Sequence, residues 1–297
     1  MVHYKTLADL HRAGGYPQPE HPQLSLLTCH ELTTCSWGSQ QFTGDFYMIS
    51  LKKIKSGTFL YGKTSYDHHN GSMSFVKPRQ LVEISNVELA EKAFVIFIHE
   101  DYLLGSPLHN AIRNYAYFDY EINEALHLSP AEERIMWDLY EKIGTEYRNN
   151  QDEFSREIIL THIDSVLKYA QRFYKRQFIN RTVLSGTTIT RFHNLLTRYF
   201  EQGLHRQEGL PSVHFLAGEL NLSPRYLSDL LKQETGKTAL DHIHLFLIEE
   251  AKERLRSSDK SIAETAYALG FENPPYFTRL FKNLVGMTPN QYKSSLN

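Results

Sequence analysis

Between Leu24 and His99 apolar residues come in short, punctuated runs. FYMISLKKI (46–54), GTFLYG (57–62), MSFVKP (73–78) and AFVIFIH (93–99) alternate or stay apolar for four to seven residues. Gly44, Gly57, Gly62 and Asn70-Gly71 stand between them as turns, a pattern that predicts an antiparallel sheet or small barrel. After Ser129 the period becomes helical, with Ser129 as N-cap and Pro130 at the first position of SPAEERIMWDLYEKIGTEY. In the next segment (154–178) Ile159, Ile163, Val166, Ala170 and Phe173 step by four, three, four and three. Such a stripe packs either on the chain's own sheet and preceding helix or, as a dimerisation seam, on a second copy. NRTVLSGTTIT (180–190) is polar and reads as a linker, which gives an N-terminal domain over 1–179 and a helical domain over 191–297.

The helical domain repeats itself. YLSDLLKQETGKT from Tyr226 and YFTRLFKNLVGMT from Tyr276 share Tyr, an apolar and a hydroxyl residue, Leu, Lys, Gly and Thr at an offset of 50. Upstream, LAGELNL (216–222) and TAYALGF (265–271) match at an offset of 49, so the second copy has one extra residue in its turn. Each copy reads as a helix with a small alanine (Ala217, Ala266), a turn residue suited to a left-handed conformation (Asn221, Gly270), and a second helix. These are two helix-turn-helix motifs, about 213–233 and 262–284. The pattern buries Leu227, Leu230 and Leu231 in one copy, and Phe277, Leu280, Phe281 and Leu284 in the other. It turns Arg225, Ser228, Asp229 and Lys232, or Pro275, Thr278, Arg279 and Lys282, outward. Arg pairs bidentately with guanine, Asp accepts from cytosine, hydroxyls serve either, and a lysine one turn on suits a phosphate. Asn273 is the N-cap that lets Pro274 and Pro275 begin the second of these helices. Ile243, Leu247, Ala251 and Leu255 recur every four residues and predict one long helix joining the motifs.

Charge adds a modest bias. From Arg181 onward 14 Lys and Arg stand against 12 Asp and Glu, while the rest of the chain has 18 against 22, which favours an anionic partner for the C-terminal part. Cys29 and Cys35 have no zinc-site spacing. Asp67, His68, His69 and His99 are the nearest set to the ligands of a metal-dependent barrel enzyme, but adjacent histidines on a strand diverge and no H-x-H pair precedes them. No phosphate-binding glycine loop or nucleophile elbow occurs, so neither enzyme activity nor a metal or other cofactor is expected. With no run of eighteen apolar residues and no leader-like N-terminus, the expected setting is the cytoplasm, with no membrane contact.

IAETAYALGFENPPYFTRLFKNLVGMTPNQYK (262–293) resembles the C-terminal signature of the AraC/XylS family of bacterial transcription regulators, and the resemblance extends back to about Phe192. It implies an α+β protein: a cupin-like antiparallel β-barrel with a helical hairpin for sensing and dimerisation, then an all-α domain of two helix-turn-helix motifs joined by a long helix. It also implies double-stranded DNA as partner, with a small-molecule effector, a homodimer and RNA polymerase as further ones. The DNA-binding residues carried over are Arg225, Ser228, Asp229, Lys232, Asn273, Thr278, Arg279 and Lys282. Pro274 and Pro275 depart from the polar residues common in the family, and Asp229 stands where a basic or amide residue often serves. An adaptor that keeps this fold without binding DNA, and a cupin-type metalloenzyme, are the competing readings.

Overall fold

The computed structural model describes residues 2–28, 36–37, 40–52, 54–60, 71–89, 93–120, 124–149, 152–184, 188–257 and 261–295. The chain divides into two compact units, Met1–Gln177 and Phe178–Asn297. Cys29, Cys35, Gly62, Asp67, His68, His69 and Asn70 lie outside the described residues.

The first unit opens with β1 (Val2–Tyr4) and α1 (Leu7–Gly14), a helix capped by the Thr6 hydroxyl accepting from the Asp9 N–H. The strands that follow are β2 (Leu24–Thr28), β3 (Ser36–Trp37), β4 (Gln40–Gly44), β5 (Phe46–Lys52), β6 (Ile54–Leu60), β7 (Ser72–Val76), β8 (Val82–Leu89), β9 (Phe94–His99) and β10 (Leu126–His127). They make two five-stranded sheets, one in the order β1-β4-β8-β3 with β6 also on β8, the other β10-β7-β5-β9-β2. Neither path closes among the described strands, which form two open sheets and do not confirm the expected barrel. The β1–β4 pair is parallel, another departure from the antiparallel expectation. Gly57 is not a turn but sits inside β6, within the register shift against β8 between Ser56 and Thr58, where a residue without a side chain suits a bulge.

Phe42 and Val82 from one sheet pack with Phe46, Met48, Val76, Val95, Phe97 and Leu27 from the other, with Leu7 and Leu10 of α1 at the margin. The second sheet is also covered on its far side. Phe94 stacks on Tyr140 at 4.4 Å and Phe75 lies 4.6 Å from Tyr117. Coverage on two faces explains why every residue of β5 and β7 is buried, Ser50, Ser72 and Ser74 included.

Two helices form the hairpin of this unit, α3 (Pro130–Arg148) and α4 (Ser155–Leu184), with a short α2 (Pro107–Ala111) before them. The Ser129 and Glu132 capping box starts α3, and Arg176 of α4 donates to both Glu132 carboxylate oxygens at 3.1 and 2.7 Å. The α4 stripe is where the dimerisation reading fails. Ile159, Ile163, Val166, Ala170 and Phe173 are 0–4% exposed within a single chain. The Tyr117 hydroxyl donates to the Leu167 carbonyl and the Arg156 guanidinium to the Tyr102 carbonyl, so the first unit's own residues pack on α4. A heptad spacing records that a face is covered, not by what. Within the stretch 180–190, α4 continues to Leu184 and the next helix begins at Thr188.

The second unit is helical: α5 (Thr188–Glu201), α6 (Val213–Glu219), α7 (Pro224–Thr235), α8 (Ala239–Ser257), α9 (Ile262–Ala268), α10 (Pro274–Val285) and α11 (Pro289–Ser294). One core joins them. Ile243, Leu247, Ala251 and Leu255 of α8 lie in it with Leu227 and Leu231 of α7 and Phe277 and Phe281 of α10, as the four-residue repeat predicts. The tightest point is Gly270. It holds φ +91°, and a Cβ there would sit 2.6 Å from the His205 carbonyl oxygen. Gly236, which ends α7 at φ +77°, has open space around it.

Three substitutions test the packing within the two units. Gly236→Ala is expected to lose about 1–2 kcal/mol from left-handed strain alone, and Gly270→Ala clearly more, since a backbone oxygen must also move. Ile163→Ala is expected to lose about 2–5 kcal/mol. Urea unfolding at two protein concentrations checks all three; a loss for Ile163→Ala that depends on concentration would return the stripe to an interface between chains.

Candidate nucleic-acid interface

Two helix-turn-helix motifs, α6–α7 and α9–α10, flank α8. At about 1.5 Å per residue the 19 residues of α8 span roughly 28 Å. The turns repeat in hydrogen bonding as well as in sequence: the Leu222 N–H donates to Ala217 O at 2.9 Å, and the Phe271 N–H to Ala266 O at 3.1 Å. Ala217 and Ala266 are both fully buried, and Asn221 and Gly270 both hold positive φ. The copies then diverge by one residue. Ser223 caps α7 directly after Leu222, whereas Glu272 intervenes before Asn273 caps α10. In both caps the side-chain oxygen accepts from a tyrosine N–H, Tyr226 or Tyr276, at 3.2 Å.

The inward faces hold Leu227, Leu230 and Leu231 on α7 and Phe277, Leu280 and Phe281 on α10. Leu284 does not belong with them: it is 45% exposed, and Val285 takes the inward place one turn past Phe281. Outward, Arg225, Lys232, Asn273, Arg279 and Lys282 are exposed, and Ser228, Asp229 and Thr278 are partly so. These residues fall into two sets, one on each second helix, each set on one face.

The two sets differ electrostatically. Arg225 Nε lies 3.3 Å from Asp229 Oδ2 one turn away, so the acidic residue in the first set holds the arginine beside it. Arg279, Lys282 and Lys232 make no side-chain hydrogen bond or ion pair among the described residues. Asn273 has one side-chain oxygen engaged in its cap. The backbone differs too. Arg225 keeps an N–H without a partner among the described residues, while α10 begins with two prolines followed by the capped Tyr276 N–H.

Contacts from α8 escape sequence reasoning. Arg254 donates to the Ala268 carbonyl at 2.7 Å, which satisfies the C-terminal end of α9. His244 Nε2 lies 3.3 Å from the Tyr276 hydroxyl, and burial pushes this imidazole below its usual pKa range. Both pairs join residues far apart in the chain; for Arg254 the only local hint is a basic residue in the last turn of a helix. Of the proposed metal set only His99 is described. Its Nδ1 accepts from the Asp101 N–H and its Nε2 faces the Lys5 carbonyl at 3.0 Å. Among the described residues no group of three His, Cys, Asp or Glu is placed to hold a metal ion.

Residues 216–295 match a helix-turn-helix domain family. The chain is 35% identical over 98 residues to the MmsAB operon regulatory protein of Pseudomonas aeruginosa, a stretch covering 33% of this chain and 31% of that protein. It is 35% identical over 99 residues to an uncharacterized HTH-type transcriptional regulator from the cgkA 5' region of Pseudoalteromonas carrageenovora, 33% of this chain and 57% of that one. The chain thus spans less than two thirds of the length of either relative. A solved transcriptional regulator with an AraC-type DNA-binding domain, from Chromobacterium violaceum, is 24% identical with a TM-score of 0.29, covering 34% of this chain and 90% of that one. These matches are to transcription regulators and not to a metal-dependent barrel enzyme. Residues 216–295 thus carry a helix-turn-helix domain similar to those of transcription regulators.

Proposed function

We propose that this protein is a sequence-specific DNA-binding transcription regulator whose α7 and α10 read two successive major grooves on one side of a duplex. The observation that carries the reading is the duplicated helix-turn-helix, each copy with a buried apolar face and a cationic outer face, inside the segment that matches the family. The length of α8 suits two recognition helices about one DNA turn, roughly 34 Å, apart. Arg279 and Thr278 are the base readers of α10, Ser228 and Arg225 those of α7, and Lys232 and Lys282 meet phosphates. Asp229 acts first on Arg225 and only through it on DNA. Asn273 is a cap first and a DNA contact second.

The first unit is the sensory part in this reading, with a small-molecule effector, a second copy and RNA polymerase as partners and the cytoplasm as setting. An effector held there regulates only to the extent that it binds the DNA-competent and incompetent states unequally. A dimer in this scheme uses surface other than the α4 stripe. No described helix is long and apolar enough to cross a membrane.

Fluorescence anisotropy with labelled duplexes at rising salt tests the reading. Affinity is expected to fall steeply and log-linearly with salt, and an absence of binding at every salt concentration would favour an adaptor. Arg279→Ala is expected to lower specific affinity by about 1–3 kcal/mol and relax the base preference, whereas Lys282→Ala should weaken all sequences alike and reduce the salt slope by about 1. Asp229→Asn releases Arg225 and is expected to tighten binding to unrelated duplex while steepening the slope by up to about 1, measured in the same titrations.

A further inference from the structure

Tyr226 and Tyr276 occupy the same place in the repeat, yet Tyr226 is fully buried and Tyr276 is 37% exposed. Tyr226 packs 5.0 Å from Phe178, and its ring serves the core. Tyr276 keeps one ring contact, with Phe271 at 6.0 Å, and its hydroxyl lies 3.3 Å from His244 Nε2. Tyr276 is also three residues before Arg279, so it stands on the flank of the outward face one turn toward the helix start.

The start of α10 makes this position matter. A recognition helix commonly anchors a DNA phosphate through N–H groups of its first turn. Here Pro274 and Pro275 have none, and the Tyr276 and Phe277 N–H groups are taken by Asn273. No backbone donor is left from 274 to 277. Glu272 and Asn273, the exposed residues just before, add a negative charge and an engaged cap. The hydroxyl of Tyr276 is the polar group at this end that combines exposure with a defined second partner.

We infer that Tyr276 and His244 form a phosphate anchor for α10, in which the tyrosine hydroxyl donates to a backbone phosphate oxygen of the DNA while accepting from the imidazole. This rests on the DNA-binding reading above. With Nε2 carrying its proton, His244 donates to the tyrosine oxygen and leaves the hydroxyl hydrogen to point outward. Burial lowers the His244 pKa and favours the neutral ring, so the imidazole orients the hydroxyl and does not itself supply the charge. Tyr276 is then the contact residue, and His244 a positioning residue reached from α8.

The test uses the full chain with two probes, a duplex enriched by this protein from a random pool and an unrelated duplex of equal length. Tyr276→Phe keeps the ring, so urea unfolding is expected to be unchanged while affinity for both duplexes falls together by about three- to tenfold. Phosphate-ethylation interference should show one backbone position that blocks the wild-type protein and no longer matters for Tyr276→Phe. His244→Gln should give a smaller loss, weakening interference at the same phosphate. Wild-type affinity in Tyr276→Phe, a loss confined to the enriched duplex, or a fall in stability matching the fall in affinity would each overturn the anchor. If the wild-type protein enriches no duplex and binds neither probe, the DNA-binding reading fails and takes the anchor with it; binding with an unaltered Tyr276→Phe sinks the anchor alone.

Discussion

Two helices that cross at a turn can approach only where side chains are missing, and the second unit depends on meeting this condition twice. Ala217 and Ala266 remove bulk from the first helix of each motif, and Asn221 and Gly270 reverse the chain with a positive φ. Both turns close through the same five-residue hydrogen bond back to the alanine carbonyl. Everything that presents the outward faces follows: the caps at Ser223 and Asn273, the inward leucines and phenylalanines, and the direction in which Arg225 and Arg279 leave their helices. Asn221 meets the condition with a side chain, but Gly270 has no such freedom, since the His205 carbonyl fills the space a Cβ would need.

The α8 helix turns two local motifs into one body. Its buried row of Ile243, Leu247, Ala251 and Leu255 gives both motifs a common core, and Arg254 and His244 add polar ties to the second one. The second motif is thus held by both packing and directed hydrogen bonds. In α7 the corresponding tyrosine is spent on the core, so the two outward faces are not copies although their sequences align.

Legibility in the sequence follows the range of the interactions. The helix-turn-helix repeat is legible because caps, turn residues and a three-four apolar period act within a few residues, and Ser223, Asn273, Ala217 and Phe281 stand where that logic puts them. Leu284 misleads because one helical turn holds two candidate inward positions and only tertiary packing selects Val285. Strand runs at 46–52, 72–76 and 94–99 show through their apolar character, but their pairing into two open sheets depends on partners far apart in the chain. β1 is too short for a period to show, and α1 could have been found from Thr6 and Asp9, a hydroxyl cap with an acid three residues on. The α4 stripe shows the reverse limit: its spacing is plain, yet spacing does not identify the covering surface. Arg225 and Asp229 are separately legible as residues of the outward face; that they occupy each other is a matter of side-chain geometry.

In the DNA-binding reading, that ion pair makes α7 and α10 thermodynamically unlike toward an anion. At α10 an incoming phosphate or base edge meets Arg279 as an addition, gaining a new contact. At α7 the same approach is an exchange, because the Asp229 carboxylate already lies 3.3 Å from the Arg225 guanidinium. An exposed pair of this kind is worth only about 0–1 kcal/mol, so the exchange subtracts at most about that much from what α7 gains. Asp229 is therefore a tethered competitor whose cost is the same for every anion, so it takes the largest fraction from the weakest encounters.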